Sequence, residues 1–387
     1  MLSFDNTEIA FKIKDNLALQ KSNWLFSIVN NPSLVKISTS LAQLSLDMHL
    51  PVKWIIKKTI FEQFCGGESL AESTPVVDQL QKLNVLSILD YAIEAKSGEQ
   101  EFDHTLMELM NVVIYASQAN VPFVSAKVTG FGRFELLEKI NAKQTLTPDE
   151  QEEFRRVKNR LDTLCKSAAE KNISILIDAE ETWIQDPVDA LVNGMMLQYN
   201  KTKAVVYNTV QLYRHDRLEY LQKCIQLSKE NNFVYGIKLV RGAYMEKERK
   251  RALEMNYPSP IQPNKEASDK DFDLAVSACL DAIEHVAFFC ASHNEDSHFK
   301  AVEIMKQKNL PTNHPHIYFS QLFGMSDHIT FNMANSGYNA CKYLPFGPVG
   351  DVMPYLIRRA QENTAIAGQM SRELKLIKAE MKRRASK

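Results

Sequence analysis

The 387-residue chain has almost no net charge: 46 lysines and arginines face 47 aspartates and glutamates, leaving −1. That balance offers no global attraction to nucleic acid. The six cysteines, at positions 65, 165, 224, 279, 290 and 341, form no C-x-x-C pair. Their spacing argues against a zinc ribbon or a dithiol motif and for buried thiols in a reducing compartment. Met1–Glu8 has neither a basic stretch nor an apolar core, so no signal peptide is expected there. The uncharged run Leu109–Ala126 is broken by Asn111, Ser117, Gln118, Asn120 and Pro122, and reads as a helix end plus a buried strand rather than a membrane span. These points lead to the expectation of a cytoplasmic setting, or a peripheral one on the inner face of a membrane. Gly130-Phe-Gly132-Arg-Phe-Glu135 lacks the third glycine of a dinucleotide fingerprint. No P-loop, G-x-S-x-G elbow or Ser–His–Asp order occurs. His293, His298, His314 and His316 lack the spacing of a helical metal site, so no metal is expected.

What the chain does have is alternation. Residues 1–84 read as a helical region, with one helix opened by Asn31-Pro32-Ser33 and a break at Cys65–Ser69. From Val85 onward, apolar runs alternate with amphipathic segments. The runs are Leu86–Ala92, Phe123–Thr129, Ile173–Ala179, Ala204–Asn208, Val234–Val240, Ala287–Ser292, Ile317–Ser320 and Ala340–Leu344. Apolar strands alternating with helices predict a parallel sheet covered on both sides. Eight such runs predict an α/β fold of (βα)8 TIM-barrel type over residues 85–370, with a doubly wound open sheet as the alternative. Residues 371–387 read as a basic C-terminal helical tail.

In such a barrel, chemistry belongs at the C-terminal ends of the strands. Those ends carry Glu94, Lys127, Asp178-Ala-Glu180-Glu181, Asn208 with Gln211, Lys238 with Arg241, His293-Asn294 and Tyr343. A lone polar residue there caps the next helix; a ring of them points to a site. Lys238 and Arg241 add positive charge and Gly242-Ala243 leaves room for a flat or phosphorylated ligand, which suits a phosphate-bearing cofactor. Lys247-Glu-Arg-Lys-Arg251 reads as a solvated helix face rather than a nucleic-acid patch.

After the eighth run come Pro345, Gly347, Pro348 and Gly350, with Asp351 expected as N-cap and Pro354 in the first turn. Tyr355, Arg358, Arg359 and Glu362 then share one helix face. One glutamate cannot neutralise two adjacent guanidiniums, so the pair is expected to clamp an anion.

The segments Leu176-Ile-Asp-Ala-Glu-Glu181, Lys238-Leu-Val-Arg-Gly-Ala-Tyr244, Ala291-Ser-His-Asn-Glu-Asp296, Gln321-Leu-Phe-Gly-Met325 and Pro354–Asn363, in this order, resemble the proline dehydrogenase family, in its single-function form. The resemblance implies FAD-dependent oxidation of L-proline to 1-pyrroline-5-carboxylate, with electrons passed to a quinone, and a last helix lying across the barrel mouth. It implies that Lys127, Arg358 and Arg359 hold the substrate carboxylate. Tyr244, Leu322, Tyr343 and Tyr355 would surround the substrate ring, and Asp178 would order the charged network. FAD contacts are implied at Asn208, Lys238, Arg241, Gly242, Ala243, His293, Asn294, Arg359 and Glu362. Lys238, Asn208 and Met245 depart from the bifunctional members, which carry arginine, glutamine and tryptophan there. Hydroxyproline-preferring relatives carry a smaller residue in place of Tyr343. The alternatives are a hydroxyproline or N-alkylproline dehydrogenase, or an imino-acid-binding barrel without turnover. Ser371–Lys387 reads as an ordinary basic tail, or as a weak contact with an anionic membrane surface through Leu374, Ile377 and Met381.

Overall fold

The computed structural model describes residues 2–29, 53–92, 97–365 and 369–386. The helix expected to open at Asn31, and Glu94 at the first strand end, lie outside the described residues. Eight strands form a closed barrel whose spatial order follows the chain. They are β1 (Val85–Tyr91), β2 (Phe123–Ala126), β3 (Ser174–Ile177), β4 (Val206–Gln211), β5 (Tyr235–Val240), β6 (Val286–Ala291), β7 (Ile317–Leu322) and β8 (Ala340–Phe346). Strand neighbours such as β4 and β5, or β7 and β8, pair in parallel. The expected barrel is therefore observed, and the open sheet is excluded. The fourth strand runs to Gln211 instead of stopping at Asn208, which matters for the site.

Helices between the strands follow ordinary capping physics. In Pro148–Glu170, the Thr147 hydroxyl accepts from the Glu150 N–H while the Glu150 carboxylate accepts from the Thr147 N–H, a reciprocal capping box. The helix after β8 departs from expectation. It spans Val349–Ala365, so Asp351 sits in its first turn rather than at the cap, and Pro354 lies inside it. The Pro348 carbonyl already accepts from the N–H groups of Asp351 and Val352, at 2.9 and 3.1 Å, and so starts the helix early.

The chain divides into two compact units. One comprises residues 1–94, 293–295 and 319–387; the other comprises 95–292 and 296–318. In the first, the N-terminal helix Asn16–Val29 and the segment Lys53–Phe64 contribute Phe26, Phe61 and Phe64 to an apolar cluster. Val352 and Leu356, and Leu376 and Ile377 of the C-terminal helix Gln369–Ala385, complete it. Leu374 and Met381 are partly buried against the same cluster. The apolar stripe of the C-terminal helix is thus occupied by the protein's own core. No described helix is long and apolar enough to cross a membrane, and all six cysteines are buried and free.

Candidate active site

The period of two along a strand decides which side chains look into the barrel. On β4, Tyr207, Thr209 and Gln211 share one face. The Tyr207 ring meets Phe289 edge-on at 5.3 Å, and Phe123 meets Phe289 and Tyr318, each at 4.9 Å. These rings fill the interior, so Gln211 is also an inward residue. Thr209 pairs in register with Lys238 of β5, which pairs with Phe289 of β6. Lys238 therefore stands inside the barrel on the same layer. Its ammonium forms an ion pair with Asp178, the residue after β3, and both side chains are largely buried, at 7% and 18% exposure.

Gln211 is fully fixed on one side only. Its Nε2 donates to the Glu180 carbonyl at 2.7 Å, while its buried Oε1 has no partner among the described residues. The resemblance implies a cofactor contact at Asn208, but the strand turns that side chain outward. Asn208 Nδ2 donates to Asp189 at 2.9 Å and to the Tyr220 hydroxyl at 3.2 Å, and Asp189 also binds Arg217 at 2.6 Å. Asn208 ties β4 to the outer helices, and Gln211 replaces it as the inward amide. The sequence names Gln211 beside Asn208 at this strand end, but which of the two faces inward is decided by the register with β5.

Glu180 follows Asp178 by two residues and is buried. Burial pushes its carboxyl up to about 7, the nearby Lys127 ammonium opposing and Glu181 adding to the rise. Its carboxylate accepts from the Thr129 hydroxyl at 2.8 Å. The native state then keeps a proton between about pH 4.5 and 7 that the unfolded chain has released. Stability from this group is present below that window and falls as pH rises through it. Glu180→Gln is expected to flatten the loss of thermal stability between pH 5 and 8. Unfolding curves at four pH values test this; an unchanged pH dependence would speak against it.

The helix after β5 is tied to the residues that open the helix after β3. Glu248 accepts from the N–H and hydroxyl of Thr182, both at 2.7 Å, and Lys247 pairs with Glu181. Residues 247–251 thus belong to an ion-paired helix, Met245–Glu254, with Arg251 on Glu138 at 2.5 Å. Between strand and helix, Gly242 adopts φ +98, and beyond its chain neighbours no atom of the described residues lies within 4 Å of where a Cβ would sit. That backbone is open to a ligand, and a side chain there would be strained. Ala243 and Tyr244 follow it. Arg241 is engaged elsewhere: it donates to Asp269 at 2.5 Å and to Ser292 and Ser297 at 2.9 Å, and lies over the Phe272 ring. Within the structure it braces the loop rather than reaching out as a free cation.

In the other unit, Leu322 ends β7 and pairs in register with Tyr343 of β8. Tyr343 is buried at 9% exposure, and Tyr355 is buried in the cluster that Leu322 also packs against. Lys342, the outward neighbour of Tyr343, is completely buried; it pairs with Asp327 at 2.8 Å and donates to the Met325 carbonyl at 2.6 Å. Burial alone would raise the Asp327 carboxyl, but Lys342 and Lys14 reverse this and hold it at about 2. His293 and Asn294 follow β6, and His293 Nδ1 shares a 2.9 Å hydrogen bond with the Ser326 hydroxyl. Arg358, Arg359 and Glu362 are on the helix Val349–Ala365, but their side chains lie outside the described residues.

The proline dehydrogenase family model matches residues 74–372, most of the chain. This chain belongs to the proline dehydrogenase family. It is 32% identical over 384 residues to mitochondrial proline dehydrogenase 1 of Dictyostelium discoideum, covering 88% of this chain and 67% of that protein. It is 31% identical to the hydroxyproline dehydrogenase of Xenopus laevis, covering 99% of this chain and 90% of the relative. Among solved structures, proline utilization A of Bdellovibrio bacteriovorus, inactivated by N-propargylglycine, superposes with a TM-score of 0.74 at 21% identity. That likeness spans 93% of this chain and 38% of the larger protein, and shows the shared barrel fold.

Proposed function

We propose that this chain oxidises L-proline to 1-pyrroline-5-carboxylate with FAD as its cofactor and passes the electrons to a quinone. The observation that carries the reading is the buried Gln211 Oε1, an acceptor at a strand's C-terminal end with no donor among the described residues. A flavin ring edge offers an N–H donor flanked by carbonyl acceptors. The neighbouring donor set fits it: Lys238 on the same interior face, and the open backbone at Gly242 for the phosphates. His293, Ala243, Asn294, Arg359 and Glu362 complete the proposed cofactor contacts. Bound FAD supplies the hydride acceptor for the ring carbon next to nitrogen.

The protein's part is to place and ready the substrate. Lys127, Arg358 and Arg359 are proposed to hold its carboxylate, with Tyr244, Leu322, Tyr343 and Tyr355 around the ring. Nearby cations lower the pKa of an amine, which favours the neutral form whose lone pair assists hydride departure. Asp178 keeps the Lys238 ammonium in place. No protein nucleophile is needed. The quinone reading calls for access to a membrane surface. With the apolar stripe packed inside, any attraction there rests on exposed cations such as Lys375, Lys378 and Lys382.

The purified protein is expected to be yellow with non-covalently bound FAD, and anaerobic L-proline is expected to bleach its visible spectrum. A colourless preparation that FAD cannot reconstitute would end this reading and favour an imino-acid-binding barrel without turnover. The Xenopus match favours a second reading, hydroxyproline as substrate, because it aligns with nearly the whole chain. Tyr343 separates the two.

A further inference from the structure

We propose that Glu373, on the C-terminal helix, is a positioning residue for the cofactor site: it fixes Ser326, and through Ser326 the imidazole of His293. This rests on the proposed role of His293 as an FAD contact. Ser326 is the anomaly that exposes the relay. It precedes the helix Asp327–Asn335, where a serine normally takes extended backbone angles and caps the helix with its hydroxyl. Here it does neither. Its φ of 49 lies in the left-handed region, where glycine or asparagine would be less strained, and its side chain makes no cap hydrogen bond. The hydroxyl instead meets His293 Nδ1 at 2.9 Å, and the residue is fully buried. A conformation that glycine would adopt more cheaply is kept by a residue whose hydroxyl a glycine lacks.

The backbone N–H that this conformation presents is held by Glu373, whose Oε2 accepts it at 2.6 Å. Glu373 is 2% exposed, and its Oε1 has no partner among the described residues. Burial raises the Glu373 carboxyl, with His328 and Lys342 opposing and Asp327 adding to the rise; burying an acid is unfavourable unless it is engaged, and its hydrogen bond here is to the Ser326 N–H. The rest of the loop is held as tightly. The Met325 carbonyl accepts from Lys342, and the Gly324 carbonyl accepts from Gln63 Nε2 at 2.7 Å. Gly324 has φ +75, and a Cβ on it would stand 1.8 Å from the Gln63 carbonyl oxygen. With its neighbours fixed, the backbone of Ser326 is held, and its hydroxyl stands at His293 Nδ1. The N-terminal helices and the C-terminal helix thereby build the platform on which His293 is oriented.

The test uses the full chain with 15N-labelled histidine, as wild type, Ser326→Ala, Glu373→Ala and Glu373→Gln. Two quantities are read: the ring-nitrogen resonances of His293, and the dissociation constant of FAD from flavin fluorescence. Ser326→Ala and Glu373→Ala are expected to move the His293 Nδ1 resonance and to weaken FAD binding about tenfold. Glu373→Gln keeps an oxygen acceptor for the Ser326 N–H and is expected to restore both values to within about twofold. A helix anchor alone would lower the melting temperature of Glu373→Ala and leave His293 unmoved; that result, with FAD bound normally, overturns the relay. If Glu373→Ala does not fold, an unmoved His293 resonance in Ser326→Ala overturns it equally. A wild type that takes up no FAD overturns the cofactor reading and this assignment with it, an outcome distinct from normal FAD binding with an unmoved resonance.

Discussion

Asp178→Ala is expected to lower kcat/KM for L-proline by about a hundredfold or more, and to destabilise the protein as well. Asp178 is the ion-pair partner of Lys238, whose side chain is 7% exposed inside the barrel. Removing the acid strips a buried ammonium of its Asp178 partner, a loss that costs about 3–5 kcal/mol in comparable sites. The catalytic loss has a separate origin. A cation that has lost its anchor no longer holds a fixed position, and losing one preorganised electrostatic group costs roughly 10²–10³-fold. The double variant Asp178→Ala/Lys238→Met separates the two effects. Removing both charges should recover most of the melting temperature while activity stays low. If Asp178→Ala is destabilised but turns over proline within threefold of wild type, the pair is structural.

Tyr343→Ser is expected to narrow the preference between proline and its hydroxylated form. On β8 the outward neighbour Lys342 is bound to Asp327 and the Met325 carbonyl, so alternation turns Tyr343 to the opposite, inward face. There it pairs in register with Leu322, nine-tenths buried. On the proposed placement of Tyr343 against the substrate ring, its phenol would leave no room for a hydroxyl on the far ring carbon. Excluding one small group by an apolar wall is worth about 1–3 kcal/mol, or about 10–200-fold in kcat/KM. The wild type should therefore favour L-proline over trans-4-hydroxy-L-proline by that ratio. The serine variant should lose proline activity and keep or gain activity on the hydroxylated substrate. Equal losses on both would make Tyr343 a rim residue only. A wild type that prefers hydroxyproline would move the substrate assignment to the second reading.

The barrel was legible because its cause is local. Eight apolar runs separated by amphipathic segments have one economical solution, a parallel sheet covered by helices, and each run carries that preference in its own residues. The family segments were legible for a related reason: the candidate strand-end residues sit next to the strands that position them. Boundaries were less so. Gln211 lies beyond the apolar part of β4, and only the paired register through Gln211↔Val240 shows that the strand continues and that Asn208 faces the helices. The raised Glu180 carboxyl follows from burial among Lys127, Thr129 and Glu181, which a linear chain does not reveal. The bonds from Gln63 and Glu373 to one loop join residues 261 and 47 positions apart. Such contacts depend on where the loop and both termini come to rest. Hydrophobic period specifies which face is buried, but not which distant polar group will be there to meet it. For this protein the sequence determined the barrel and the order of its chemical groups, while tertiary packing decided which of those groups are held, turned inward or held protonated.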